Sequence, residues 1–227
     1  KKTPIVVNDA RGFFTSRVIG TYINQGIGML AEGLNPQSIE VAAQSAGFPV
    51  STLAISDELN FTTMRNISLA AKADLAAEGK DLPDTPISAV LDQMIDEFGR
   101  EGKLAGKGFF DYPEKGKKVL WPGLKDAFGG DKEIPFEDMK ERFLFVQALE
   151  TVRCFDEGVL TSIADANIGS IMGIGFPPWT GGVMQYINGY GLRNFVQRAQ
   201  ELAGKYGDEF TPPASLIEKA EKDETYV

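Results

Sequence analysis

Apolar residues along this chain recur chiefly three and four positions apart, the period of a helix that buries one face. Between Phe13 and Glu32 the spacing runs through Phe14, Val18, Tyr22, Ile23, Ile27 and Leu30. Gly33 follows, where a helix ends in a left-handed residue. Asn35-Pro36 supplies a cap and a proline suited to a first turn, and leads into "QSIEVAAQSAG". A third helix is predicted roughly over Asn60 to Ala77. A fourth starts at Thr85-Pro86 and carries Val90, Leu91, Met94, Ile95 and Phe98. The stretch "GREGKLAGKGFFDY" interrupts the pattern with four glycines and ends in a short extended piece. Residues 113–134, rich in Lys, Gly, Pro and Asp, read as a connection.

Pro135 opens a long amphipathic helix with Phe143, Val146, Leu149, Val152 and Phe155 on one face, stopped by Gly158. "GIGFPPWTGG" is a Gly/Pro-rich loop, and helices around Leu192–Leu202 and from Pro213 complete the pattern. Ahead of all of these, Ile5-Val6-Val7 is a short extended arm that turns at Arg11-Gly12 into the first helix. The pattern predicts an all-α protein with minor extended pieces.

The two helical regions repeat each other. Arg17 leads fifteen residues on to Glu32-Gly33, and Arg142 leads fifteen residues on to Glu157-Gly158. Each is followed by a helix-like segment and then by Gly-Phe-Pro, at Gly47-Phe48-Pro49 and Gly175-Phe176-Pro177. An Arg-Asn pair recurs at Arg65-Asn66 and Arg193-Asn194. The shared order predicts an internal duplication, and two copies fit a paired, pseudo-symmetric bundle better than a solenoid. The expected boundaries are a first copy over 1–115, a linker over 116–134 and a second copy over 135–227.

Composition removes whole classes of chemistry. The 227 residues include no histidine and a single cysteine, Cys154. A zinc site therefore lacks a ligand set, and a Ser-His-Asp or Cys-His nucleophile system is impossible. One cysteine excludes an internal disulfide and predicts a reducing, cytoplasmic setting, in which the Asn60 and Asn66 glycosylation sequons are chance matches. A net charge of −9 argues against nucleic acid or an anionic membrane as main partner. No apolar run is long enough to span a bilayer.

Several motifs have a plain structural reading. "GIGFPPWTGG" lacks the strand before and helix after that a dinucleotide fingerprint requires, and its prolines remove amide donors, so it reads as a tight loop. "GKLAGKGFFDY" could touch an anion through its lysines, but reads first as a turn delivering Phe109 and Phe110 to the core. Glu32 and Glu157, each before a helix-ending glycine, read as a duplicated structural pair partnered by arginine. Trp121 and Trp179 read as core or interface residues. Thr15 and Ser16 stand where hydroxyls cap a helix.

"PIVVNDARGFFTSRVI" resembles the start of the C-terminal domain of the L-3-hydroxyacyl-CoA dehydrogenases. "GKLAGKGFFDYP" resembles that family's end-of-first-copy signature. "EGVLTSIADANIGSIMGIGFPPWTGGVMQYINGYG" is similar to the second copy of the two-copy form found in multifunctional fatty-acid β-oxidation enzymes. The resemblance implies two tandem, pseudo-symmetric helical copies of the kind also seen in the C-terminal domain of 6-phosphogluconate dehydrogenase. In that family hydride passes from the 3-hydroxyl carbon of an acyl-CoA to NAD while a histidine, oriented by a glutamate, takes the proton. The His-Glu pair and the NAD-binding glycines belong to a preceding Rossmann domain, so no complete catalytic set is expected in this chain.

What the resemblance places in this chain is a wall of the active-site cleft, a surface for acyl-CoA and a helical dimerisation interface. The family's first helix usually opens with Gly-Phe-x-x-Asn-Arg. Here the stretch is Gly12-Phe13-Phe14-Thr15-Ser16-Arg17, so Ser16 takes the position of a substrate-contacting asparagine. Gly12 and Phe13 accompany it, and the loop at Phe48-Pro49 faces the cleft in the family. NAD is then expected in the full-length enzyme and not bound to this chain alone. Acyl-CoA and the preceding Rossmann domain are the expected partners. The competing expectation is a stand-alone helical binding or dimerisation protein without catalysis.

Overall fold

The computed structural model describes residues 3–80 and 85–227. The chain divides into two compact units. One comprises residues 1–25, 42–50 and 135–227, and the other residues 26–41 and 51–134. Lys1 and Lys2, at the start of the arm, lie outside the described residues.

In order, α1 spans Thr15–Ala31, α2 Pro36–Ala46, α3 Thr52–Leu59, α4 Phe61–Ala77 and α5 Pro86–Asp92. A π-helical turn, Gln93–Glu97, continues α5. Strands β1 (Phe110–Asp111) and β2 (Val119–Leu120) pair antiparallel, Phe110 opposite Leu120. Then come α6 (Gly123–Phe128), α7 (Phe136–Asp156), α8 (Ile163–Ile174), α9 (Val183–Tyr190), α10 (Leu192–Tyr206) and α11 (Ala214–Glu221). The predicted helices are all present. The stretch 113–134, read as a connection, holds β2 and α6, and the periodicity does not predict α3 or α9.

Local caps explain the predicted starts. Asn35 Oδ1 accepts the amides of Gln37 and Ser38 ahead of α2. Asn60 Oδ1 accepts the amide of Thr63 in α4. Thr85 and Ser88 form a reciprocal capping box at α5.

The first unit is centred on α7, whose inner positions Phe143, Phe145, Leu149 and Val152 are buried. Around them gather Tyr22, Phe48 and Phe176. Tyr22 and Phe48 stack at 4.3 Å, and Phe176 meets Phe48 edge-on at 6.0 Å. The second unit buries Phe61 against Phe109, 4.6 Å between centroids. The "GKGFFDY" turn is held there by a single carboxylate. Asp57 accepts the amides of Phe109 and Phe110 at 2.7 and 2.9 Å and the Tyr112 hydroxyl at 2.9 Å. Phe109 and Phe110 are both buried, as the sequence predicts.

Candidate functional site

The arm, residues 3–10, is extended without joining a sheet. The Asn8 amide donates to the Val159 carbonyl at 2.9 Å, and the Asn8 side chain donates to the Gly158 carbonyl at 2.7 Å. Ile5 and Val7 are half-buried while Val6 points outward. A turn at Ala10–Phe13 then redirects the chain into α1.

That turn takes two successive left-handed residues, Gly12 at φ 78° and Phe13 at φ 48°. Gly12 adopts it without steric cost, but for a bulky aromatic residue this backbone is strained by about 1 kcal/mol or more. The strain is not repaid by burial, because Phe13 is 53% exposed. Ser16 lies in the first turn of α1 with its hydroxyl exposed. It is not the cap that a local reading suggests: α1 begins at Thr15, so Ser16 sits inside the helix. Arg17 follows and donates to Glu150 through Nε and to Glu157 through both terminal nitrogens. The Glu157 carboxyl is thereby held below the usual carboxylate range, chiefly by those Arg17 bonds. The Cys154 thiol is pushed up to about 11 by burial, and is inert.

The second candidate loop reaches the same neighbourhood from another direction. Thr15 lies against Gly173 of α8, and a Cβ on Gly173 would stand 3.2 Å from the Thr15 methyl. Two residues later Gly175, left-handed at φ 71°, abuts Pro49; a Cβ there would come within 2.9 Å of its ring. The α8 terminus therefore touches both the residue beside Ser16 and the Gly47–Pro49 loop. The members of that loop differ in availability. Pro49 is exposed, whereas Phe48 is buried in the aromatic cluster and shapes the loop from beneath. Met172, 73% exposed on α8, and Trp179, 67% exposed, were not singled out for this surface by the sequence, which reads Trp179 as core or interface. Its indole N–H donates to the Ala46 carbonyl at 2.9 Å, fixing the ring although it is not buried.

The two Gly-Phe-Pro loops pack reciprocally. Gly175 faces Pro49, and Gly47 faces Pro177, whose ring would stand 3.2 Å from a Cβ on that glycine. The helices behind them do the same. Arg17 of α1 donates through Nε to Glu150 of α7, and Arg142 of α7 donates through Nε to Gln25 of α1 at 2.9 Å. Of the carboxylates read as a duplicated pair, Glu157 meets Arg17, and Glu32 takes Lys132 at 3.4 Å.

Two deeply buried carboxylates lie in the other unit. Glu40 is pushed up to about 7 by burial, against hydrogen bonds from Ser51 and the Leu53 amide. Asp57 is pushed up to about 6 by burial, against its bonds from Phe109, Phe110 and Tyr112. Both have oxygens committed to backbone amides, so they brace loops rather than exchange protons with a substrate.

The "GIGFPPWTGG" loop does not have the frame of a dinucleotide fingerprint. Gly173 lies within α8, Pro177 and Pro178 carry no amide hydrogens, and no strand precedes that helix. Among the described residues no group of three or more His, Cys, Asp or Glu is placed to hold a metal ion. No helix among them is long and apolar enough to cross a membrane.

Comparison with known proteins finds a family model that matches part of the chain. Residues 12–112 match the family model for "3-hydroxyacyl-CoA dehydrogenase, C-terminal domain", beginning at the glycine of the strained turn. The resemblance to that dehydrogenase family is sound. The fold is shared with 3-hydroxybutyryl-CoA dehydrogenase from Escherichia coli K12, with a TM-score of 0.69 at 15% identity over 96% of this chain and 61% of that one. It is shared too with the dehydrogenase part of multifunctional enzyme 1 from C. elegans, with a TM-score of 0.65 at 19% identity over 95% of this chain and 49% of that one. The chain thus spans about half to three fifths of the length of these solved relatives in fold.

Proposed function

We propose that the chain is the C-terminal, substrate-binding and dimerisation part of an NAD-dependent L-3-hydroxyacyl-CoA dehydrogenase of fatty-acid β-oxidation. In this reading a preceding NAD-binding domain supplies the His-Glu pair and the cofactor site, and the present chain alone is inactive. The observation that carries the reading is the approach to α1. An exposed, strained Phe13 and an exposed Ser16 stand at the start of the family-matched segment, where the family's asparagine meets substrate. A serine hydroxyl still donates and accepts one hydrogen bond, though on a shorter stem than an amide. Gly12, Phe13, Ser16 and Pro49 form the surface, and Phe48 supports it. The reciprocal contacts of α1 with α7, and of the two Gly-Phe-Pro loops, support a duplicated domain with copies over 1–115 and 135–227.

The test is NAD reduction by a 3-hydroxyacyl-CoA, followed through the absorbance of the reduced cofactor, with the complete product of the gene and with residues 1–227 alone. Turnover is expected from the complete product only. Turnover by the 227-residue chain alone overturns the division of labour, and no turnover by the complete product overturns the activity.

The second reading, a stand-alone helical binding or dimerisation protein, draws on α4. Of its seventeen residues only Phe61 is buried, and Ile67 and Leu69 lie open to solvent. The same assay separates the two.

A further inference from the structure

Of the chain's eight asparagines only Asn188 precedes a glycine. Both residues lie near the end of α9, with Asn188 half-buried and Gly189 exposed. Nothing in the fold calls for that glycine. Its φ is not in the left-handed range, and a Cβ built on it would meet no atom within 4 Å. A glycine within a helix weakens it relative to alanine, and here no packing or turn offsets the loss.

Asn188, in contrast, is engaged at both polar atoms of its side chain. Nδ2 donates to the Tyr226 carbonyl at 2.7 Å and to Gln185 Oε1 at 3.3 Å, and Oδ1 accepts the Tyr226 amide at 2.9 Å. One side-chain amide thus pairs with both backbone groups of Tyr226, as a neighbouring strand would. Tyr226 is 8% exposed, with the Lys219 ammonium 5.2 Å from its ring centroid, while Val227 beside it is fully open. Glu224 is tied back to α11 through its amide, which donates to the Lys219 carbonyl at 3.1 Å. Asn188 ties the same segment, residues 222–227, to α9.

We infer that Asn188-Gly189 is a deamidation site of this chain, held closed by residues 222–227 and releasing them once it has reacted. Asparagine is a thermolabile residue, most of all before glycine, whose amide nitrogen has no side chain beside it to hinder attack. The deprotonated Gly189 nitrogen bonds to Asn188 Cγ, the Cγ–Nδ2 bond breaks, and Nδ2 leaves as ammonia. Water then opens the cyclic imide to aspartate or isoaspartate, with no change of oxidation state. The leaving nitrogen is the atom that holds the Tyr226 carbonyl, and Oδ1 on the same carbon holds the Tyr226 amide. Cγ reaches the Gly189 nitrogen only when the last turn of α9 and the docked segment open together. Afterwards a carboxylate at position 188 has no hydrogen for the Tyr226 carbonyl, and its charge lies in the last turn of α9, where the helix dipole disfavours an anion. The reaction needs only water and is independent of what the chain catalyses.

The test is incubation of the folded 227-residue chain at mildly alkaline pH, with peptide mass spectrometry reading amide-to-acid conversion at each asparagine. Conversion is expected first at Asn188. Y226A, which removes the buried ring, should convert about tenfold faster, and G189A, for which there is open space, at under about a tenth of the wild-type rate. N188D carries the product's charge, and carboxypeptidase should remove Tyr226 from it about tenfold faster than from the wild type. A folded chain that stays intact at Asn188 while the urea-unfolded chain converts there overturns the site. Conversion led by another asparagine, or equal rates in wild type and G189A, does the same. Equal rates in wild type and Y226A, or unchanged trimming of N188D, overturns the claim that the docked segment holds the site closed and is released by it.

Discussion

The leading ends of α1 and α7 carry arginines 125 residues apart and make the same reciprocal Nε contact, yet one end is open and the other is filled. At α1 the residues before the arginine are Phe13 and Ser16, both exposed. At α7 the matching positions are Asp138 and Glu141, and α10 closes over them. Asp138 accepts Arg198 and the Tyr206 hydroxyl at 2.5 Å each, and Lys205 at 3.1 Å. Glu141 accepts Arg198 at 2.7 Å and the Tyr190 hydroxyl at 2.9 Å. The arginines follow suit. Arg17 stays partly exposed between two carboxylates, while Arg142 is 1% exposed and lies under the Tyr206 ring at 4.6 Å. One scaffold position thus serves stability when a neighbouring helix supplies cations and hydroxyls, and stays exposed when none does.

The largest break in that comparison is expected at Arg142. Arg142→Ala removes a fully buried cation and leaves Gln25 a partner short, at a cost of about 3–5 kcal/mol. Arg17→Ala, at a partly solvated site, costs about 1–2 kcal/mol. Urea midpoints read both, and equal losses would show that burial does not distinguish the two helix starts. Next comes Asp138→Ala, which strands Lys205 and Tyr206 and lowers stability by about 2–3 kcal/mol.

That loss has a pH signature. Burial alone would raise Asp138, but hydrogen bonds from Tyr206, Arg198 and Lys205 outweigh it and hold its carboxyl below the usual value. Its stabilisation is present above the ordinary carboxylate pKa and fades as pH falls through the depressed one. Asp138→Asn should flatten that acid limb, and an unchanged limb would locate the acid sensitivity elsewhere.

The opposite sign is expected at Glu40, raised to about 7 by burial. The native state favours its protonated form. Its contribution is therefore complete below about pH 4.5, the ordinary value, and is lost as pH rises through about 7. Glu40→Gln keeps an acceptor for the Leu53 amide and a donor for Ser51, and should make stability between about pH 5 and 8 flatter by about 2 kcal/mol. Chemical denaturation across that range decides it.

The smallest stability effect belongs to Ser16, where Ser16→Ala is expected to change folding free energy by under about 0.5 kcal/mol. In the complete enzyme the same change should lower kcat about tenfold, and Ser16→Asn should restore it. An unaltered rate in Ser16→Ala removes Ser16 from the site.

Which helices were legible follows from where their caps come from. α2, α4 and α5 begin at Asn35, Asn60 and Thr85, each of which caps its own helix, so sequence alone marks the start. The starts of α3 and α9 are satisfied from a distance. Glu40 of α2 takes the Leu53 amide, and Asn167 and Ser170 of α8 take the Met184 and Val183 amides. Ser51 stands at the N-cap of α3 but its side chain makes no cap bond, and Gly182 before α9 has no side chain to offer. The site divides the same way. Gly12 and the hydroxyl at Ser16 are visible in sequence, whereas the exposure of Met172 and Trp179 is not, because apolar residue types alone predict burial.

By itself the sequence determined the helical period, the local caps, the repeated Arg-to-Glu-Gly and Gly-Phe-Pro order, and the absence of any histidine chemistry. These depend on residues near one another in the chain or on simple composition. Tertiary structure alone decided which helix start stays open and which carboxylates are buried and raised. Each of these depends on side chains brought in from remote segments, and the free energy of a charge or a hydroxyl is set by what surrounds it in space.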